Sequence, residues 1–212
     1  MTSYYPVFLD ITNRLCIVVG GGKVAEAKIF QLLEYKCLIS VISPKITPCI
    51  LSWIKNRRIS WEPRIYESGD IANAFLVITA TGSAKVNTMI SEEAKLHKVL
   101  LNTVDNPLLS NFIAPAIVRR GPVTLAISTN GTSPALARKF RECLSKSPLL
   151  EYADLAPLLS QIRKQVKSNG WKVKPDIWQK LITPELLTMI KNGREKEAKA
   201  DLLKNLSQES TS

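Results

Sequence analysis

The feature that most restricts the fold is a short apolar run ending in three glycines. Leu15-Cys16-Ile17-Val18-Val19 leads directly into Gly20-Gly21-Gly22. A run this short, apolar throughout and closed by a turn signal, reads as a fully buried strand. From Val24 to Tyr35 apolar residues recur at Ala25, Ile29, Leu32 and Leu33, which is helical spacing. Gly20 to Ala25 therefore fits G-x-G-x-x-A between a strand and a helix. The glycines permit a tight turn and let backbone N–H groups approach a pyrophosphate at the helix N-terminus, while Ala25 allows close helix–strand packing. In this context the motif points to dinucleotide binding. The plainer alternative is a glycine-rich turn in another α/β fold.

The rest of the chain repeats the alternation. Leu38 to Ile42 reads as a strand, Phe75 to Ala80 as another before a Thr81-Gly82-Ser83 turn, Val86 to Leu96 as a helix, and Val99 to Thr103 as a strand. Strands alternating with helices imply parallel βαβ units. A second region opens near Phe112. Val123 to Ser128 is a strand candidate and Ala135 to Leu144 a helix, with Ser133 as its cap and Pro134 at its first position. Beyond about Ser147 the pattern is helical and more polar, broken by Pro148, Pro157, Pro175 and Pro184. The expected class is α/β: a parallel sheet over residues 1–113, a small α+β segment over 114–149 and a helical region over 150–212.

In open α/β sheets ligands bind at the carboxyl ends of the strands. Gly20, Gly22, Lys23 and Val24 stand at the first such end. The second strand ends in Ser43-Pro44-Lys45 rather than the Asp or Glu that binds an adenosine ribose diol. Ser43 could hydrogen-bond a ribose hydroxyl, and Lys45 could tolerate a 2′-phosphate. Thr81 and Gly82 follow a later strand and are expected to touch the cofactor. Asn102-Thr103-Val104-Asp105-Asn106-Pro107 follows a buried strand at the same edge, so Asp105 is the candidate proton carrier. Its alternative role is a turn or capping aspartate before Pro107.

The formal net charge is +11, which favours an anionic partner. Residues 114–150 carry 6 Lys/Arg and 1 Asp/Glu, the densest basic stretch. No Lys/Arg block or aromatic–basic interleaving marks a nucleic-acid binder. No apolar run approaches a membrane span, and Met1 to Asp10 has no signal-peptide pattern, so a cytoplasmic protein is expected. Cys16, Cys37, Cys49 and Cys143 form no C-x-x-C pair and His97 is the single histidine, so no metal site is expected. The thiols are expected to be reduced and mostly buried.

These blocks resemble the precorrin-2 dehydrogenase family, which includes stand-alone enzymes and the N-terminal module of sirohaem synthases. The resemblance rests on Tyr5-Pro6-Val7-Phe8-Leu9, Val18 to Ala25, Ala80-Thr81, Asn102 to Asp105, Phe112 to Ala116 and Arg119 to Val123, and above all on Ala126 to Arg138. It implies a Rossmann-type N-terminal domain, NAD as cofactor, oxidation of precorrin-2 to sirohydrochlorin, and a homodimer formed through the following segment. It places the catalytic aspartate on Asp105 and cofactor contacts on Lys23-Val24 and Pro44-Lys45. The Ser128 to Pro134 loop, with Ser128 and Thr129, would lie in the substrate region. A substrate with eight carboxylates suits the basic segment holding Arg119, Arg120, Arg138, Lys139 and Arg141, of which Arg119 and Arg138 are the preferred contacts. Two departures stand out: Gly82-Ser83 where many members carry Asp, and Ser110-Asn111 where many carry Cys-Asp.

Two rival readings accompany this one. A bifunctional relative would also insert iron or cobalt into sirohydrochlorin. A protein of another class would sense NAD without turning anything over, using the C-terminal helices as an output module.

Overall fold

The computed structural model describes residues 4–104 and 106–210. The chain divides into two compact units, residues 1–114 and 115–212.

In the first unit the glycine-terminated run forms β1 (Leu15–Val19), and the amphipathic segment after it forms α1 (Lys23–Leu32). There follow β2 (Leu38–Ile42), α2 (Pro48–Lys55), β3 (Ser60–Glu62), β4 (Leu76–Thr79), α3 (Ala84–His97) and β5 (Leu100–Thr103). All five strands are parallel, in the order β3-β2-β1-β4-β5. The strand order reverses between β1 and β4, the switch point at which such sheets open a crevice.

Because side chains alternate across a strand, the sheet has two apolar faces. Cys16, Val18, Ile39, Val41, Leu76 and Ile78 pack with Ala25, Ile29 and Leu32 of α1 and Ile50 of α2. Ile17, Val19, Ile42, Val77 and Leu101 pack with Ile90 and Ala94 of α3 and with Tyr66 and Ile71. A fully buried isoleucine such as Ile29 contributes about 1.5–3 kcal/mol. The β3–β4 connection is tied to α3 through the buried Glu93 carboxylate. It accepts from the Tyr66 hydroxyl, from Gly69 N (3.0 Å) and from Ile71 N (3.1 Å).

In the second unit β6 (Ala116–Arg120) and β7 (Val123–Ile127) form an antiparallel hairpin. Its two-residue link begins at Gly121, whose φ of 53° suits glycine. Next comes α4 (Pro134–Ser145), packed on β6 and capped as expected, the Ser133 hydroxyl accepting from Leu136 N at 3.2 Å. A 3₁₀ helix (Pro148–Leu155) leads to α5 (Ala156–Ser168), α6 (Pro175–Leu181), α7 (Pro184–Lys191) and α8 (Glu195–Gln208). Leu155, Leu158, Ile162, Leu186, Leu202 and Leu206 anchor the helical core.

The expected classes of structure stand: a parallel sheet with helices, a small antiparallel pair and a helical end. The cysteine expectation needs correcting. Of the four thiols Cys16 is buried, Cys37 and Cys49 are half-buried and Cys143 is exposed. Cys37, just before β2, packs at the margin of the core, Cys49 lies in the first turn of α2, and Cys143 is on the solvent side of α4. Among the described residues no helix is long and apolar enough to cross a membrane.

Candidate functional site

The glycine turn lies at the carboxyl end of β1, beside the switch point. Its three glycines do different work. Gly20 has φ +122°, and a Cβ there would stand 2.5 Å from the Ala80 carbonyl oxygen. Gly21 is buried, and its Cβ would stand 2.0 Å from the Lys45 carbonyl oxygen and 2.8 Å from Ser43 Oγ. At Gly22 a Cβ would meet nothing within 4 Å. The first two glycines let the turns after β4 and β2 close onto β1, and the third faces open space.

That open space lies at the start of α1. Gly22 is the N-cap residue and offers no side-chain hydrogen bond. The first N–H groups of a helix have no partner within it, and the helix dipole makes that end attractive to anions. The other two helices of this unit are finished differently: Thr47 Oγ1 accepts from Ile50 N at 3.3 Å, and Ser83 Oγ accepts from Val86 N at 3.3 Å. The glycine-flanked end is thus the one left without a side-chain cap among this unit's α-helices in the described residues. A pyrophosphate fits such an end.

The flanking residues are fixed around this turn. Lys23 is exposed and pairs with Glu26 at 3.1 Å. The Thr47 hydroxyl, with help from Lys23, holds the Glu26 carboxyl below the usual carboxylate range. Val24 is exposed beside it. The Ser43 side chain is 7% exposed, and its hydroxyl donates to the Lys45 carbonyl at 2.7 Å. Pro44 and Lys45 are exposed. Thr47 N donates to Gly21 O at 3.0 Å, which stitches this turn to the glycine turn.

On the other side of the switch point, Thr81 Oγ1 accepts from Ser83 N (3.2 Å) and Asn87 Nδ2 donates to Thr81 O (3.2 Å). Gly82 is exposed. Just below, Thr79 and Thr103 are register partners at the ends of β4 and β5. Their buried hydroxyls, and Asn87 Oδ1, have no hydrogen-bond partner among the described residues. Leaving a buried polar group unmatched costs about 1–3 kcal/mol, so this edge carries polar capacity that the fold itself does not use.

Asp105 lies outside the described residues. The segment on either side of it is closely braced. Ser110 Oγ accepts from Thr103 N (2.9 Å) and donates toward Asn106 O (3.0 Å). Asn111 Oδ1 accepts from Leu101 N (2.7 Å), and its Nδ2 donates to Val99 O (2.8 Å). Ser110 and Asn111, together the second of the two departures seen in the sequence, complete the exposed edge of β5 as a neighbouring strand would. Sequence reasoning did not see this bracing, nor did it single out Gly21, the glycine with least room.

In the second unit, Arg119 is exposed on β6 and Arg138 on α4. Arg120 is committed to Asp154 through Nε (2.8 Å) and Nη2 (2.6 Å). The loop before α4 braces itself: Ser128 Oγ accepts from Asn130 N (3.0 Å), and Thr129 Oγ1 both donates to Ser133 O and accepts from Ser133 N (3.1 Å each). Ser128 and Thr129 thus sit in the braced loop before α4, and Arg138 stands on the second turn of that helix. Among the described residues no group of three or more His, Cys, Asp or Glu side chains could hold a metal.

A parallel sheet of this strand order, with an uncapped glycine turn beside its switch point, defines a dinucleotide-binding α/β protein. The chain belongs to the family described as "Putative NAD(P)-binding", whose model matches residues 7–116, about half of its length. A second model, "Sirohaem biosynthesis protein central", matches residues 120–147. Among curated relatives, a siroheme synthase of Vesicomyosocius okutanii is 35% identical over 94% of this chain and 43% of its own length. A siroheme synthase of Nitrosospira multiformis is 33% identical over 98% of this chain and 45% of its own. The chain therefore spans less than half of these relatives. A solved structure, "SirC, precorrin-2 dehydrogenase", superposes with a TM-score of 0.69 at 26% identity, covering 97% of this chain and 100% of that one.

Proposed function

We propose that the protein oxidises precorrin-2 to sirohydrochlorin with NAD, as a step of sirohaem or related tetrapyrrole synthesis. The observation that carries this reading is the open, uncapped helix end at Gly22, beside the switch point of a chain that matches a precorrin-2 dehydrogenase end to end. The match to the central segment of sirohaem biosynthesis proteins supports the same reaction.

Gly22, Lys23 and Val24 hold the pyrophosphate on backbone N–H groups, and Gly20, whose own N–H donates to Ile42 O at 3.0 Å, shapes the turn beneath it. Ser43, Pro44 and Lys45 border the adenosine ribose, and Thr81 and Gly82 border the nicotinamide side. When bound, the cofactor supplies hydride-accepting chemistry. Asp105 takes the proton that leaves the macrocycle. Arg119, Ser128, Thr129 and Arg138 hold the substrate carboxylates. Residues 1–113 serve as the cofactor domain, 114–149 as the substrate and homodimer segment, and 150–212 as a helical domain. The setting is the cytoplasm.

Anaerobic incubation with freshly prepared precorrin-2 and NAD is the direct test. NADH and the sirohydrochlorin spectrum should rise together, and absence of both refutes the assignment. Asp105→Ala should lower turnover about 10²-fold; near-normal turnover in that variant removes Asp105 from the chemistry. Sedimentation of the purified chain tests the dimer, and a monomer at micromolar concentration would refute it.

A further inference from the structure

We propose that the adenosine end of this site does not select against a 2′-phosphate, and that Lys45 lets the chain bind NADP at least as well as NAD. The inference rests on the reading that the glycine turn binds a nicotinamide dinucleotide.

Selection for NAD in this topology comes from a carboxylate at the end of β2. It accepts hydrogen bonds from the ribose diol and repels a phosphate in the same place. Here that strand end carries Ser43. A serine could still favour the diol if its hydroxyl were available. It is buried, and its proton goes to the Lys45 carbonyl at 2.7 Å. The backbone around it is occupied as well: Ser43 N donates to Glu62 O at 3.2 Å, and Ser43 O accepts from Trp61 Nε1 at 2.8 Å. Pro44 brings no N–H.

The acid one strand over does not replace the missing carboxylate. Glu62, at the end of β3, is held by the Arg64 guanidinium, which also forms a two-point pair with Asp70 at 2.7 and 2.8 Å. Its charge is compensated locally. Lys23 is engaged by Glu26. Lys45, in contrast, is exposed and has no ion-pair partner among the described residues.

The position of Lys45 is not left to chance. Its carbonyl sits over Gly21 so closely that no side chain fits between them, and Thr47 N is bonded to Gly21 O. The Ser43-Pro44-Lys45 turn is therefore locked to the pyrophosphate turn. A dinucleotide seated on Gly22 would bring its adenosine ribose toward a fixed turn that carries Lys45 and no carboxylate of its own, the nearby Glu26 and Glu62 each being paired with a cation.

Binding to the purified full-length chain tests this without turnover. NADP and NAD are titrated calorimetrically, together with the fragments 2′,5′-ADP and 5′-AMP. NADP should bind as tightly as NAD or about two- to fivefold more tightly at low salt, and added salt should erode any excess. Lys45→Glu lies on an exposed side chain and should lower the NADP-to-NAD affinity ratio about tenfold. Wild-type protein that binds NAD but holds NADP more than threefold more weakly overturns the proposal. An affinity ratio unchanged by Lys45→Glu overturns the role of Lys45. Binding of neither dinucleotide overturns the cofactor reading and this proposal with it.

Discussion

A methyl group at Gly21 would stand 2.0 Å from the Lys45 carbonyl oxygen, whereas one at Gly22 would meet nothing within 4 Å. Gly21→Ala must therefore push two turns apart, and a loss of about 1–3 kcal/mol or more is expected in urea denaturation. Gly22→Ala should keep the fold within about 1 kcal/mol while weakening dinucleotide binding, because its Cβ intrudes on the anion's place. An unfolded Gly22→Ala protein, or one with unchanged affinity, would contradict this division of roles. Asp70 offers a test by pH. The Arg64 guanidinium beside it holds its carboxyl below the usual range. A carboxyl whose pKa is lowered by folding adds stability above its unfolded value, about 4, and that contribution is lost as pH falls through the folded value. Asp70→Asn should thus be less stable than wild type at pH 7, with the gap narrowing as pH falls below the unfolded value and through the lowered folded one. Equal midpoints at pH 7 would show that the pair contributes nothing.

Among the elements, the segment after β5 depends on two short side chains. Ser110→Ala removes an acceptor for Thr103 N and a donor to Asn106 O, at a cost of about 1–2 kcal/mol. Hydrogen exchange at the Thr103 amide should accelerate and be restored in Ser110→Thr. Unchanged protection would mean that β5 keeps its edge without this brace. These contacts were not legible in the sequence, since nothing local says which side chains will stand in for a missing strand. What was legible was periodicity: β1, β2, β4, β5 and β7 lie where buried runs predicted strands, and α1, α3 and α4 where apolar spacing predicted helices. Three elements escaped. β3 has three residues, too few for a period. β6 buries only Val118 fully. α2 did carry a signal, Thr47-Pro48, the same cap-and-proline start recognised at Ser133-Pro134. At the site, the G-x-G pattern drew attention to Gly20 and Gly22, while the steric demand falls on Gly20 and Gly21. The sequence lets Ser43 hydrogen-bond a ribose hydroxyl; what it does not show is that the side chain is buried and donates to the Lys45 carbonyl.

At the level of the whole chain, each compact unit carries its own core: one on the two faces of the sheet, the other among α5, α7 and α8. A fragment of residues 1–114 is therefore expected to fold, show α/β circular dichroism and bind the dinucleotide, yet to lack turnover for want of the basic segment. A fragment that stays unfolded would show that its core is insufficient. The unfinished helix end at Gly22 carries one more consequence. Donors that no side chain satisfies face water until a nucleotide takes them, so occupancy adds directly to resistance to unfolding. At a ligand concentration one hundred times its Kd the gain is about 2.7 kcal/mol. The abundance of such a protein in a cell would then track the supply of its own cofactor, with starved molecules the first to be cleared by proteases.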